Sequence, residues 1–157
     1  MACACSTGSC GITLKVDFYQ LSRDPAEAVV PLLARNSHAA GERLLVVSDN
    51  AAQLDRIEQA LWNRKDSFLA NGRAGGAHDA RQPVLLSPDP APTNGARYVV
   101  LADGRWRSEA EAFERVFLLF DGSTIDDARA TWRSLDGRDG LERAYWRQEE
   151  GKWVKAA

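Results

Sequence analysis

Short, uninterrupted apolar runs alternate with helix-like stretches through the first two-thirds of this chain. The runs RLLVVS (43–48), PVLLS (83–87) and RYVVLA (97–102) lack the polar alternation of a strand with one face in water. Such runs are typical of strands buried on both faces, which belong to parallel sheets covered by helices on each side. The chain is therefore predicted to fold as a three-layer α/β/α protein with a mainly parallel sheet.

The remaining elements complete this pattern. Further strands are predicted at 14–21 and 113–120, and a hairpin around 149–151 closes the chain. Three helices are expected from their start and stop residues. The first has Asp24 as N-cap, Pro25 at the first helical position and Gly41 as stop. The second has Asp49 or Asn50 as N-cap and reaches Trp62, and the third has Ser123 as N-cap, Asp126 in a capping box and Gly137 as stop. Pro31 predicts a kink in the first helix. The glycine- and proline-rich stretch 71–83 is predicted to be a loop.

The 157 residues suit one domain, predicted at 13–157 and preceded by a flexible tail at 1–12. All the cysteines, Cys3, Cys5 and Cys10, fall in that tail. Their number is odd and their spacing differs from that of zinc-binding cysteines, so a reduced tail is expected, with a zinc site as the alternative. The chain has no apolar run long enough to span a bilayer and no secretory signal pattern, so a cytoplasmic location is expected.

Charge and missing motifs narrow the possible functions. The net charge of −2 gives the whole chain no electrostatic attraction to nucleic acid. His38 and His78 lack ligand-spaced companions, and the glycines of 71–79 follow a helix and precede a strand, the reverse of a phosphate-binding loop. No catalytic residue, metal or cofactor is therefore expected. The alternative is a nucleotide-binding enzyme of Rossmann-like fold that uses the crevice at the carboxyl ends of the strands.

Large aromatic side chains mark the exit of the second helix. Leu54, Ile57 and Leu61 define its buried stripe, and Trp62 lies on the flank of that stripe. Phe68, with Leu69 beside it, follows a polar turn. Two interpretations stay open: a lid folded over the sheet edge, or a patch that docks another protein.

A second aromatic surface is predicted on the helix at 123–136. Trp132 belongs to its apolar stripe, and Arg129 and Arg133 run along one rim. These residues could form a receptor for a peptide carboxylate, or Trp132 could be a core residue flanked by solvated arginines. A third hypothesis is direct binding of single-stranded DNA through Trp62, Trp106 and Arg107.

Five segments occur in an order that resembles a known family. They are VDFYQL, AAGERLLVV, LDRIEQALWNRKDSFL, FERVFLLFDG and ARATWR, and together they resemble the chi subunit of bacterial DNA polymerase III over residues 16–153. The resemblance implies a non-catalytic accessory subunit of the clamp-loader complex with a nucleotide-binding-like fold. It further implies that the chain holds the acidic, phenylalanine-ended C-terminal tail of single-stranded-DNA-binding protein and also binds a psi subunit. DNA would then be reached through these partners.

The resemblance also implies site residues. Arg129 would pair with the carboxylates of the tail, and Trp132 and Phe120 would receive its phenylalanine. Arg133 is added from helix geometry. Trp62 and Phe68 match the aromatic pair associated with psi or another protein partner, and Leu69, beside Phe68, is included in that site.

Overall fold

Parallel strands and helices alternate along the chain in the computed structural model, which describes residues 13–22, 24–63, 70–149 and 152–157. The predicted tail at 1–12, with Cys3, Cys5 and Cys10, lies outside these residues and stays a prediction. The elements are β1 (Leu14–Gln20), α1 (Ala26–Ala39), β2 (Leu44–Val47), α2 (Ala51–Trp62), β3 (Asn71–Arg73), β4 (Val84–Ser87), β5 (Tyr98–Leu101), β6 (Arg115–Phe120), α3 (Ile125–Ser134), β7 (Leu141–Glu149) and β8 (Lys152–Lys155). None of the described helices is long and apolar enough to cross a membrane.

The described strands join one eight-stranded sheet in the order β3-β4-β2-β5-β6-β1-β7-β8. Every neighbouring pair is parallel except β7 and β8, which run antiparallel. The predicted α/β fold with a mainly parallel sheet and a C-terminal hairpin is therefore confirmed. The first strand of that hairpin starts at Leu141 and pairs in parallel with β1, which the sequence reading did not predict.

Side chains alternate between the two faces of the sheet, and each face has its own core. Helices α1 and α2 cover one face, where Leu54, Ile57 and Leu61 are buried as predicted. Helix α3 and a short 3-10 turn at Ser108–Ala112 cover the other face. Along β1, Phe18 belongs to the α3 side and Tyr19 to the α1 side, because successive residues of a strand point to opposite faces.

Two of the predicted helix caps are wrong. Pro25, rather than Asp24, is the N-cap of α1, and the Asp24 carboxylate instead accepts a hydrogen bond from Gln148. Thr124, rather than Ser123, is the N-cap of α3, and its side chain caps no backbone group. Asn50 caps α2 as predicted, with its side chain accepting from the backbone amide of Gln53 at 3.1 Å.

The glycine-rich stretch 71–83, predicted to be a loop, contains a short strand. Residues Asn71–Arg73 pair in parallel with β4 and form one edge of the sheet. Helix α1 is continuous across Pro31, so the proline does not divide it. It ends where predicted, with Gly41 at a φ of 78° and its amide donating to the carbonyl oxygen of His38.

Candidate functional site

The residues predicted to bind the acidic tail of the partner protein, called the tail site below, line one hollow. Phe120, Arg129, Trp132 and Arg133 surround a cavity of about 380 Å³ between α3 and the sheet. Phe120 comes from the end of β6, whereas the other three come from consecutive turns of α3. The fold thus brings together residues that were predicted from two different elements. Their role in binding stays a prediction.

The floor of the hollow is aromatic. Phe18 and Phe120 are buried, and their rings meet edge to face with centroids 6.4 Å apart. Trp132 packs edge to face on Phe18 at 5.1 Å but keeps part of its surface exposed. Trp132 is therefore a core contact and a cavity wall at once, so the two interpretations of this residue do not exclude each other.

The rim of the hollow is cationic. The Arg129 side chain is 63% exposed, and its acidic partner among the described residues, Asp126, is 4.0 Å away and 96% exposed. Arg133 is also exposed. An ion pair that long and that open to water contributes little, so Arg129 can exchange it for another carboxylate at small cost.

Strand β7 supplies one wall of this hollow through Tyr145, which was not predicted from the sequence. The Tyr145 ring meets Phe120 at 5.7 Å and Trp132 at 6.0 Å, both edge to face, and its hydroxyl donates to the side-chain oxygen of Gln20. Burial raises the pKa of Tyr145, while the positive charges of Arg129 and Arg147 oppose that rise. The alternation of AYWRQ was the available signal, because it places Tyr145 and Arg147 on one face.

Arg143 holds the back of Trp132. Its guanidinium carbon lies 4.1 Å from the centroid of the indole ring. One terminal nitrogen donates to the carbonyl oxygen of Trp132, and the other donates to Asp136 at 2.6 Å. Arg143 therefore fixes both the ring and the backbone of the tryptophan.

The second predicted site lies on the other helical layer. Trp62 ends α2 and is 49% exposed, as its flank position predicted. Phe68 and Leu69 lie outside the described residues, so the structure does not test whether they join Trp62. Trp106 packs on the core beneath α3, and Arg107 pairs with Asp103 at 2.8 Å. Trp62 and Trp106 thus lie on opposite faces of the sheet and do not form the single groove of the DNA-binding hypothesis.

The crevice at the carboxyl ends of the strands is acidic. Its volume is about 440 Å³, and four carboxylates line it: Asp24, Glu27, Asp103 and Asp121. One cationic side chain, Arg56, also lines it and pairs with Glu27 at 3.0 Å. Burial alone would raise the pKa of Asp103, but hydrogen bonds and charge from Arg107 lower it, and Ser123 does the same for Asp121 by donating to it. These charged carboxylates would repel a phosphate, so the crevice does not favour the nucleotide-binding alternative. Within the described ranges, no cluster of three or more potential ligands could hold a metal ion.

The fold and the site together define the class of this protein. It is a three-layer α/β protein with an acidic strand-end crevice and a separate aromatic hollow that is rimmed by arginines. The chain belongs to the DNA polymerase III chi subunit (HolC) family, whose family model matches residues 14–142. Membership makes it a component of the DNA polymerase III complex, with a role in DNA replication.

The matched region contains part of the candidate site. It includes Phe120 and all of α3, whereas Tyr145 and the rest of the β7 wall lie beyond residue 142. The resemblance noted in the sequence extended further, to Trp153. No curated protein matches the chain.

Proposed function

We propose that this chain is a non-catalytic adaptor of the DNA polymerase III complex. Its hollow beneath α3 holds the acidic, phenylalanine-ended C-terminal tail of single-stranded-DNA-binding protein. A psi-type subunit, bound near Trp62, connects it to the clamp loader. The observation that carries the proposal is the combination of an aromatic floor and an exposed arginine rim around one open cavity.

The geometry suits both parts of such a tail. A phenyl group buried against Phe18, Phe120 and Trp132 would gain about 1.5–3 kcal/mol from leaving water. A carboxylate bound by Arg129 would gain about 1.5–3 kcal/mol from a charge-assisted hydrogen bond. Because Arg129 gives up only a long, exposed interaction with Asp126, most of that gain is retained.

A peptide titration tests the tail site. A labelled peptide ending in Asp-Phe is titrated by fluorescence anisotropy against the wild type, Arg129→Ala and Arg81→Ala. The loss of one charge-assisted hydrogen bond predicts roughly tenfold weaker binding for Arg129→Ala. Arg81 is an exposed arginine outside the hollow, so its variant should bind like the wild type.

Two further titrations sharpen this test. A peptide ending in Asp-Ala should bind more weakly, and added salt should weaken the complex with the phenylalanine peptide. Equal affinities for Arg129→Ala and Arg81→Ala would remove Arg129 from the site. Equal affinities for the two peptides would show that the aromatic floor receives no side chain.

The psi-type interface is tested separately. Trp62 is a large, half-exposed aromatic side chain at a helix end, a type of residue that often anchors protein interfaces. Trp62→Ala should lose co-purification with clamp-loader subunits but keep the tail peptide. Arg129→Ala should show the reverse. Loss of both partners in either variant would contradict two separate sites.

A further inference from the structure

A second hollow lies on the opposite face of the sheet from α3, where helices α1 and α2 do not reach. It measures about 450 Å³ and opens above the neighbouring strands β6, β1 and β7. Asp17 and Ala144 are register partners in the middle of it, and the short Ala144 side chain leaves room there. Trp146 forms one wall.

The Trp146 indole is held in a fixed orientation. Its Nε1 donates to Oδ1 of Asp17 at 3.2 Å, and its ring is nearly parallel to that of Tyr19, with an angle of 18° and centroids 6.1 Å apart. Asp17 is buried, and its other oxygen accepts from Nε of Arg115 at 2.9 Å. A ring that is already fixed loses little conformational entropy when a ligand stacks on it.

The charge around this hollow is positive, in contrast to the net charge of −2 for the whole chain. The cationic side chains on this face are Lys15, Arg115 and Lys155, and the acidic ones are Asp17 and Glu142. Arg143 also borders the hollow, but its guanidinium lies against Trp132 on the α3 side of the sheet. The Asp17 charge is balanced by Arg115, so two lysines face one remaining carboxylate, that of Glu142. Lys15 and Lys155 are exposed, and neither forms an ion pair with a described residue.

We propose that this hollow binds single-stranded nucleic acid, with one base stacked on Trp146 and neighbouring phosphates paired with Lys15 and Lys155. An aromatic platform inside a cationic groove is the arrangement by which proteins bind single strands without reading their sequence. The lysines alone would also suit an acidic peptide, but the fixed indole plane favours a nucleobase. The site does not depend on the proposed tail site, which lies on the other face of the sheet.

Neutralising Lys15 and Lys155 tests whether these lysines bind the phosphates of the strand. A labelled strand of about 12 thymidine nucleotides is titrated at about 0.1 M salt in the absence of any partner protein. Removing one lysine–phosphate pair from a single-strand complex lowers the affinity about fivefold at that salt concentration, so Lys15→Gln with Lys155→Gln should bind about 25-fold more weakly. The slope of log affinity against log salt should fall by about 1.4. Lys152→Gln is the matched control, because Lys152 alternates with Trp153 and Lys155 and lies on the other face of β8.

Two further variants test the stacking and the sign of the charge effect. Trp146→Leu keeps an apolar wall but removes the ring, and the range of about 1–3 kcal/mol for one stacked base predicts a loss of roughly fivefold to 160-fold in affinity. Glu142→Gln removes a repulsive charge and should strengthen binding. Arg129→Ala should bind the strand like the wild type, so a failure of the tail site would not affect this result.

Four results would overturn the proposal. One is an affinity of the double lysine variant equal to that of Lys152→Gln. Another is equal binding of a duplex of the same length, because paired bases cannot stack on Trp146. Binding of a polyglutamate peptide in place of the strand would assign the hollow to an acidic protein segment. An absence of detectable binding by the wild type at low salt would also overturn it.

Discussion

Arg143 is predicted to be the main stabiliser of the candidate tail site, although it comes from a strand rather than from α3. It interacts with the ring of Trp132, the carbonyl oxygen of Trp132 and the carboxylate of Asp136. Arg143→Met keeps the apolar stem of the side chain and removes the guanidinium. The variant should therefore lack all of these interactions, with little change in packing volume.

The magnitude follows from the individual interactions. The Arg143 side chain is only 22% exposed, so its interaction with the indole face contributes about 1 kcal/mol. The charged hydrogen bond to the backbone carbonyl contributes about 1.5 kcal/mol. Asp136 is 71% exposed, so its ion pair contributes at most about 0.5 kcal/mol. We expect a loss of about 2–3 kcal/mol in the free energy of unfolding, which corresponds to roughly 4–12 °C in Tm for a chain of this length.

Urea unfolding measures this loss, and the same strand provides a matched control. Arg147 lies further along the same face of β7, beyond Tyr145, but its side chain is 55% exposed and its described acidic partner is Glu149 at 3.3 Å. Arg147→Met should therefore change the free energy of unfolding by less than about 0.5 kcal/mol. Near-ultraviolet circular dichroism should also change in Arg143→Met, because the guanidinium no longer orients the Trp132 ring.

The reasoning would be refuted by equal unfolding free energies for the two variants. It would also be refuted by a destabilised Arg143→Met variant with an unchanged aromatic signal, since Arg143 would then act on something other than Trp132. If both expectations hold, Arg143 is a positioning residue for the proposed tail site. The affinity of Arg143→Met for the Asp-Phe peptide should then fall even though Arg143 lies behind the ring.

Two further predictions concern the strand-end crevice and are measured by urea unfolding. Gly104 has a φ of 74°, and an added Cβ would lie 2.7 Å from Oγ1 of Thr124, so Gly104→Ala should lower the free energy of unfolding by about 2–4 kcal/mol. Gly41→Ala is the control and should lower it by about 1 kcal/mol, because the φ is similar but the space is open. Equal losses for the two variants would contradict the clash. Asp103→Asn should cost about 2–3 kcal/mol at pH 7, because it weakens a largely buried pair with Arg107. Folding lowers the pKa of Asp103, so the stabilisation by its carboxylate is complete above the unfolded pKa of about 3.9 and is lost as the pH falls through the folded pKa. The difference in unfolding free energy between Asp103→Asn and the wild type should therefore shrink below about pH 4. A difference that stays constant with pH would contradict this assignment.

The architecture could be predicted because its signals are local. Buried parallel strands have continuous apolar runs, and β2, β4 and β5 form where those runs occur. Strand β3 could not be predicted in the same way, since Asn71–Arg73 contains no β-branched or aromatic residue. It forms because the open edge of β4 offers backbone partners, and that edge exists only after the sheet has assembled.

The helix starts show a similar limit. Asp24 and Ser123 are both residue types that favour N-cap positions, and each lies one residue before the observed cap. Each is bonded to a different group: Asp24 to Gln148, and Ser123 to Asp121. A distant partner in one case and a neighbour two residues away in the other thus compete for the polar side chains that a sequence pattern assigns to the helix.

The candidate tail site was predicted in its helical half only. Arg129, Trp132 and Arg133 share a helix, and residues three and four positions apart are neighbours on a helix surface, so the sequence alone places them together. Tyr145 and Arg143 belong to the site because β7 adds to the sheet in parallel beside β1. Such long-range pairing is fixed by the whole sheet, and the alternation of β7 alone does not say which strand will be its neighbour.

The location of both hollows follows from the width of the sheet. Eight strands about 4.8 Å apart make a sheet roughly 34 Å wide, whereas each helix covers only about 10 Å of it. Two described helices cover one face, and α3 covers part of the other, so the β1–β7–β8 end is left partly open on both sides. Because successive β7 residues face opposite sides, Ala144 borders one hollow and Tyr145 borders the other. A single strand can thus shape two binding surfaces on opposite faces of the sheet, so substitutions at alternate positions of β7 can affect each surface separately.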